Sequence, residues 1–167
     1  MKRKLIIVRH AKSAWSDANM SDFDRPLNQR GTSDAPFMAK RYCDTEQRPD
    51  KIVSSSALRC KTTAGHYADA LQIPHSEIAL KEEIYEAPLS RLIEVVNRFD
   101  DEWETVLIFG HNPGMSYLID YLSGEMVQMP TNGVACVELD IESWKHAGNG
   151  CGTLAYNDYP KRHTIKS

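Results

Sequence analysis

Lys4-Leu5-Ile6-Ile7-Val8-Arg9-His10-Ala11-Lys12-Ser13 is the stretch on which the fold turns. Leu5 to Val8 is a short apolar run, rich in β-branched residues and without polar alternation. Such a run reads as a strand buried on both faces of its sheet. Its C-terminal end delivers a guanidinium, Arg9, and an imidazole, His10, past the sheet edge, where open α/β sheets bind their ligands. The same grammar returns twice. Val106-Leu107-Ile108-Phe109 runs into Gly110-His111-Asn112-Pro113-Gly114, and Lys51-Ile52-Val53 runs into Ser54-Ser55-Ser56-Ala57-Leu58-Arg59. Three short apolar strands thus each lead into Arg or His.

The remaining segments fit an alternation of strands and helices. A helix is expected from Thr32 or Ser33 to Cys43, capped by Thr32, Ser33 or Asp34, with Pro36 in its first turn and Phe37, Met38, Arg41 and Tyr42 as a partial apolar face. A second starts near Ser55 or Ser56 and ends near Leu71. Ile78 to Leu80 is a weak strand. From Pro88 to Phe99, Leu89, Leu92, Ile93, Val96 and Phe99 give the clearest helical periodicity in the chain. A last helix opens at Pro113, a favoured first residue, and Gly124 lies just past its end. Val134 to Leu139 and Gly152 to Tyr156 are strands separated by less than a helix, so they pair as a hairpin. The expected fold is a three-layer α/β/α sandwich with a mostly parallel sheet and one antiparallel edge strand, forming one domain over residues 1–167. Residues 11–30, rich in Ser, Asp and Asn, form a loop long enough to be functional.

The totals narrow the function. The chain has 167 residues, 41% of them hydrophobic and 26% charged, an ordinary balance for a globular domain. A net charge of -3 argues against nucleic acid as a partner. No apolar run reaches the roughly 20 residues of a membrane helix. After the basic start Met1-Lys2-Arg3-Lys4, the Leu5 to Val8 run is shorter than the about 7–15 residues of a signal-peptide core, so a cytoplasmic protein is expected. Cys43, Cys60, Cys136 and Cys151 form no C-x-x-C pair and read as free thiols.

The constellation suits phosphate. Arginine forks match phosphate oxygens two at a time, and helix N-termini near Arg59 and Pro113 add unpaired N–H groups. A histidine in such a setting can be the nucleophile if its attacking nitrogen is neutral and its other N–H is held by an acceptor, which sequence does not identify. The second histidine can then bind the phosphoryl group as a cation. Metal-ligand spacings such as H-E-x-x-H or H-x-H are missing near His10 and His111, so no metal or other cofactor is expected. Ser54-Ser55-Ser56 lacks a G-x-S-x-G frame and reads as helix capping.

Arg9-His10 after the first strand, Arg59 with Thr63 in an R-x-x-x-T pattern, and Gly110-His111-Asn112-Pro113 after a late strand resemble the histidine phosphatase superfamily. Asp24-Arg25-Pro26-Leu27, Arg30-Gly31 and the short length are most similar to its small SixA-type branch of phosphohistidine phosphatases. The resemblance runs from residue 4 to about 156. It implies a metal-independent phosphatase in which His10 is transiently phosphorylated and Arg9, Arg59 and His111 form the phosphate pocket. It implies that Arg25 binds phosphate or the substrate flank; the plainer reading of Arg25 is a loop residue paired with Asp22 or Asp24. The substrate would be a phosphorylated protein, above all a phosphohistidine protein. The alternatives are small phosphoesters, or a non-catalytic phosphate-binding module on the same fold. Ala11 departs from the glycine common at that place, and Trp15 stands where mutases carry Asn. Glu82 and Glu83 are candidates for a general acid, with a solvated charge pair as the plainer reading of both. The sequence carries no signal for an oligomeric state.

Overall fold

The computed structural model describes residues 2–15 and 19–163. Met1, in the basic start, and Ser16 and Asp17, in the long loop, lie outside the described residues. Six strands form one sheet: β1 (Lys2–Arg9), β2 (Lys51–Ser55), β3 (Ile78–Lys81), β4 (Thr105–Gly110), β5 (Val134–Asp140) and β6 (Gly152–Asp158). Their order is β3-β2-β4-β1-β5-β6. The β3-β2, β2-β4 and β4-β1 ladders are parallel. β5 runs against β1, and β6 against β5. The expected hairpin therefore forms, and the reversed strand, β5, lies one place in from the edge.

Four helices cover the sheet: α1 (Gln29–Thr45), α2 (Leu58–Leu71), α3 (Leu89–Asn97) and α4 (Gly114–Ser123). The unbroken apolar run of β1 follows from this arrangement, because its residues feed two cores. Leu5 and Ile7 join Val106, Ile108, Leu92, Val96, Leu118 and Ile119 under α3 and α4. Ile6 and Val8 join Leu107, Phe109, Met38, Tyr42, Ala64 and Tyr67 under α1 and α2. All four β1 side chains are fully buried, each worth about 1.5–3 kcal/mol relative to exposure.

α1 begins earlier than expected. Asn28, not Thr32, Ser33 or Asp34, is the N-cap, and its side chain accepts the Gly31 N–H at 2.8 Å. Pro36 therefore lies inside the helix, on its exposed side, where the carbonyl it leaves unpaired can meet water. The buried face is Ala35, Met38, Ala39 and Tyr42; Phe37 is exposed and meets the His163 ring. α2 starts at Leu58, after Ala57. α4 starts at Gly114, with Pro113 at the cap.

The long loop is anchored at its base. Ser13 and Leu27 form a β-bridge, Ala14 N–H donates to Pro26 O at 2.9 Å, and Asn28 N–H donates to Lys12 O at 2.9 Å. A Cβ on Gly31 would lie 2.1 Å from Lys12 O, so only glycine lets α1 approach this closely. Asp22–Asp24 form a single 3-10 turn. Together these contacts fasten the base of the loop between the exit of β1 and the start of α1.

Candidate active site

His10 leaves β1 with its surroundings fixed. Its N–H donates to Gly110 O at 3.1 Å, and its carbonyl accepts the Asn132 N–H at 2.9 Å. Ala11 N–H donates to Thr63 Oγ1 at 3.0 Å, and Thr63 Oγ1 donates to Arg59 O at 2.7 Å. This explains the R-x-x-x-T spacing: Thr63 sits one helical turn after Arg59 and ties α2 to the exit of β1. The imidazole acceptor that sequence did not identify is a backbone carbonyl, with His10 Nδ1 2.7 Å from Ala11 O. A carbonyl can only accept, so Nδ1 carries the proton and Nε2 keeps its lone pair. His10 is buried. Burial is the main cause that takes its pKa down to about 3; His111, Arg59 and Arg9 push the same way, and the Ala11 bond opposes them.

His111 stands at the end of β4, its ring centroid 5.4 Å from that of His10. Its Nε2 is 2.8 Å from Ser55 Oγ at the end of β2, and Ser55 Oγ also accepts the Ala57 N–H. Ser55 thus anchors the second histidine as well as the turn into α2. Burial first, and then Arg59, lower the His111 pKa to about 4, with Asp22 acting upward. Without an anion beside it, His111 is therefore neutral at physiological pH. A phosphoryl dianion placed beside it would raise its pKa again. Cys60 lies 3.5 Å from His111 Nε2. Burial pushes its thiol up to about 12, so it stays protonated and weakly nucleophilic.

The arginines converge from three segments. Arg9 Nη1 donates to Met129 O at 3.0 Å. Arg59, also buried, donates from Nη1 to Asp22 O at 2.7 Å and from Nη2 to Asp22 Oδ2 at 3.0 Å. The Nε atoms of Arg9 and Arg59 are buried and find no acceptor among the described residues. A buried unsatisfied donor costs about 1–3 kcal/mol, so both edges favour an incoming anion. The plainer reading of Arg25, a loop residue paired with Asp22, is what the structure shows, and the same side chain faces the site. It lines the same cavity as the histidines, and it pairs with Asp22 Oδ1 at 2.9 Å. Its guanidinium also lies 3.7 Å from the Trp15 ring centroid, and Trp15 is exposed.

A cavity of about 340 Å³ brings together Arg9, His10, Arg25, Arg59 and His111, with Lys12 at its rim. Lys12, Ser13, Trp15 and Arg25 of the long loop line it, together with Glu86, Asn112 and Thr131. Glu82 and Glu83 do not line it; both are exposed on a 3-10 turn. The carboxylate that does line it is Glu86, whose φ of +49° is rare for a residue with a side chain. Sequence reasoning saw Asp22 only as a partner for Arg25 and passed over Tyr85. Tyr85 Oη donates to Asp22 Oδ2 at 2.5 Å and meets the His111 ring edge-on at 5.3 Å. The Tyr85 hydroxyl, then Arg25 and Arg59, hold the Asp22 carboxyl well below the usual carboxylate range. Among the described residues no group of three His, Cys, Asp or Glu is placed to hold a metal ion.

These shifts predict an NMR titration in which both imidazoles stay neutral from pH 7.5 down to 5. His10 is expected to protonate only near about 3 and His111 near about 4. A midpoint near 6.5 for either ring would contradict the burial argument.

Residues 5–103 match the Histidine phosphatase superfamily (branch 1). Phosphohistidine phosphatase SixA of Escherichia coli (strain K12) is 28% identical over 150 residues, covering 88% of this chain and 89% of that one. An uncharacterised chloroplastic protein of Arabidopsis thaliana is 28% identical over 159 residues, covering 88% of this chain and 71% of its own. A structure of the protein histidine phosphatase SixA complexed with tungstate superposes with a TM-score of 0.82 at 25% identity, covering 96% of this chain and 99% of that one. No described helix is long and apolar enough to cross a membrane. The chain belongs to the histidine phosphatase superfamily, and it is a phosphatase enzyme.

Proposed function

We propose that this enzyme hydrolyses phosphohistidine on proteins, without a metal, through a covalent phosphohistidine at His10. The observation that carries the reading is the 2.7 Å bond from His10 Nδ1 to Ala11 O, which leaves Nε2 as an unprotonated nucleophile in a cavity of cations. Nε2 attacks phosphorus and forms an N–P bond as the bond to the substrate nitrogen breaks. The leaving imidazole takes a proton from solvent. Water then attacks the phosphorus of phospho-His10, the N–P bond breaks, and inorganic phosphate leaves with His10 restored. Arg9 and Arg59 offer Nε–H groups to the phosphoryl oxygens and stabilise the charge spread over them, the role that Mg²⁺ has in other phosphoryl transfers. His111 adds a donor as the dianion raises its pKa.

Substrate class follows from the leaving group. An imidazole nitrogen protonates more readily than an alkoxide, so phosphohistidine needs little acid assistance. Alkyl phosphoesters need more, and Glu86 at the cavity wall is the carboxyl that can supply it. The names of the SixA relatives support the phosphohistidine reading. The rim also suits a protein substrate, since Lys12 and Trp15 stand exposed around it.

The test is hydrolysis with a chelator present, comparing a phosphohistidine-bearing protein with O-phosphoserine. The expected result is strong preference for phosphohistidine. Glu86→Gln should slow O-phosphoserine hydrolysis by about 10²-fold, the lower end of general-acid contributions, and slow phosphohistidine hydrolysis much less. Activity that disappears on chelation would overturn the metal-independent route. Faster hydrolysis of O-phosphoserine would favour small phosphoesters as substrates instead.

A further inference from the structure

The phosphate pocket shares part of its wall with a second, larger cavity of about 570 Å³. Glu86, His111 and Asn112 line both spaces, so the two meet beside the second histidine. Beyond that seam the wall changes character. Ala87, Pro88 and Leu89 come from the approach to α3 and its first residue, and Pro113 and Tyr117 from the start of α4. Tyr117 is an exposed aromatic side chain that rests on no core cluster. Lys12 and Thr131 of the phosphate pocket also line a smaller space of about 160 Å³, where Arg30 and Lys161 stand with Asp34, Pro130, Tyr159 and Pro160. That space mixes charges of both signs with apolar groups, whereas the wall of the larger cavity beyond the shared residues is apolar.

We infer that the groove between Pro88, Leu89, Pro113 and Tyr117 binds the apolar flank of the leaving group, so that the preferred substrate carries its phosphohistidine next to large apolar side chains. The inference rests on the phosphohistidine reading above. The chemistry demands some such place. On that reading the transferred phosphoryl group occupies the cation pocket, the bond that breaks points away from His10, and the departing segment leaves along a wall of the pocket. The groove adjoins it through the residues both cavities share. An isolated exposed Tyr would mean little, but here Pro, Leu and Tyr form a continuous apolar surface at the mouth of a charged site, an arrangement that marks binding grooves.

Two N-phosphorylated peptides test this, identical except that the phosphohistidine is flanked by Leu and Phe in one and by Ser in the other. The scissile bond is the same in both, so any difference reports the groove. The wild-type protein is expected to favour the apolar peptide by about tenfold or more in kcat/KM, the scale of discrimination by an apolar pocket. Tyr117→Ser should cut that ratio at least about threefold, and Tyr117→Phe should keep it. Equal kcat/KM for the two peptides, or an unchanged ratio in Tyr117→Ser, would overturn the groove and leave the phosphatase reading standing. Hydrolysis of neither peptide would overturn the phosphohistidine reading and the groove with it.

Discussion

His10→Ala is expected to lower turnover by at least about 10⁴-fold, the scale seen when a covalent nucleophile is removed. The size of the loss follows from the lack of a substitute. Cys60 is buried and its thiol is pushed up to about 12, so it offers almost no thiolate. Ser54 Oγ donates to Ser55 O, and Ser55 Oγ is engaged with Ala57 N–H and His111. His111 is the remaining imidazole, and Ser55 anchors its Nε2. The backbone around residue 10 keeps its bonds to Gly110, Asn132 and Thr63 when the imidazole and its bond to Ala11 O are removed, so the variant should fold. Its response to acid supplies a second readout. A buried histidine whose pKa is lowered to about 3 stays neutral in the folded chain while the unfolded chain protonates near 6.5. Its stabilising contribution is complete above pH 6.5 and is lost as the pH falls toward 3, at up to about 1.4 kcal/mol per pH unit. His10→Ala should therefore lose less stability than wild type between pH 7 and 4.5 in urea titrations. A variant that keeps more than a tenth of wild-type turnover would remove His10 from the mechanism. An unchanged acid slope would show that the imidazole is not held neutral.

What could be read from the sequence was set by strand ends, and what could not was set by backbone geometry. Leu5 to Val8, Val106 to Phe109 and Ile52 with Val53 announced buried strands because both faces of each are covered by helices. Arg9, His10 and His111 follow from where those strands stop, and Arg59 from the first turn of the helix after one of them. The acceptor for His10 carries no side-chain signature, because it is the Ala11 carbonyl. Asn28 went unrecognised as the cap of α1 because Thr32, Ser33 and Asp34 offered better-placed capping chemistry by pattern; the approach of Gly31 to Lys12 O, a contact across the long loop between residues separated in sequence, decides the start of the helix. Glu82 and Glu83 drew attention by position along the chain. The turn that exposes them and brings Glu86 to the cavity depends on a left-handed residue that sequence pattern does not single out, since Glu rarely adopts it. A glutamate at φ +49° is the kind of outlier that points from conformation to use. Asp22 was visible only as a partner for Arg25, and its grip on Arg59 became apparent once the loop closed.

Arg59→Ala is the second large effect, expected to reduce kcat/KM by about 10³-fold, near the upper end for removal of one donor to a transition-state oxygen. Arg59 does two jobs from one side chain. Its Nη atoms bind Asp22 at the carboxylate and the carbonyl, which joins the long loop to α2. Its Nε is buried without an acceptor among the described residues, and in the proposed mechanism it is the edge offered to the phosphoryl group. Alanine removes both, so weaker phosphate binding should come with a looser loop. Arg59→Lys keeps the charge and should recover no more than about tenfold, because a single ammonium cannot hold Asp22 and a phosphoryl oxygen along two edges of one plane. Asp22→Asn separates the two roles. Asparagine keeps an oxygen for Tyr85 or Arg59 but gives up the charge, and Arg59 keeps its phosphate-facing edge with weaker positioning. A rise in KM of about tenfold, with kcat nearly unchanged, is expected if Asp22 acts by aiming Arg59, since such a change removes about 1.4 kcal/mol of binding common to ground and transition states. Inhibition by inorganic phosphate should weaken in the order Asp22→Asn, Arg59→Lys, Arg59→Ala. Tighter phosphate inhibition in Asp22→Asn would reverse the assignment: the carboxylate would then be competing with phosphate for Arg59 rather than orienting it. A loss below tenfold in Arg59→Ala would take Arg59 out of the phosphate site altogether.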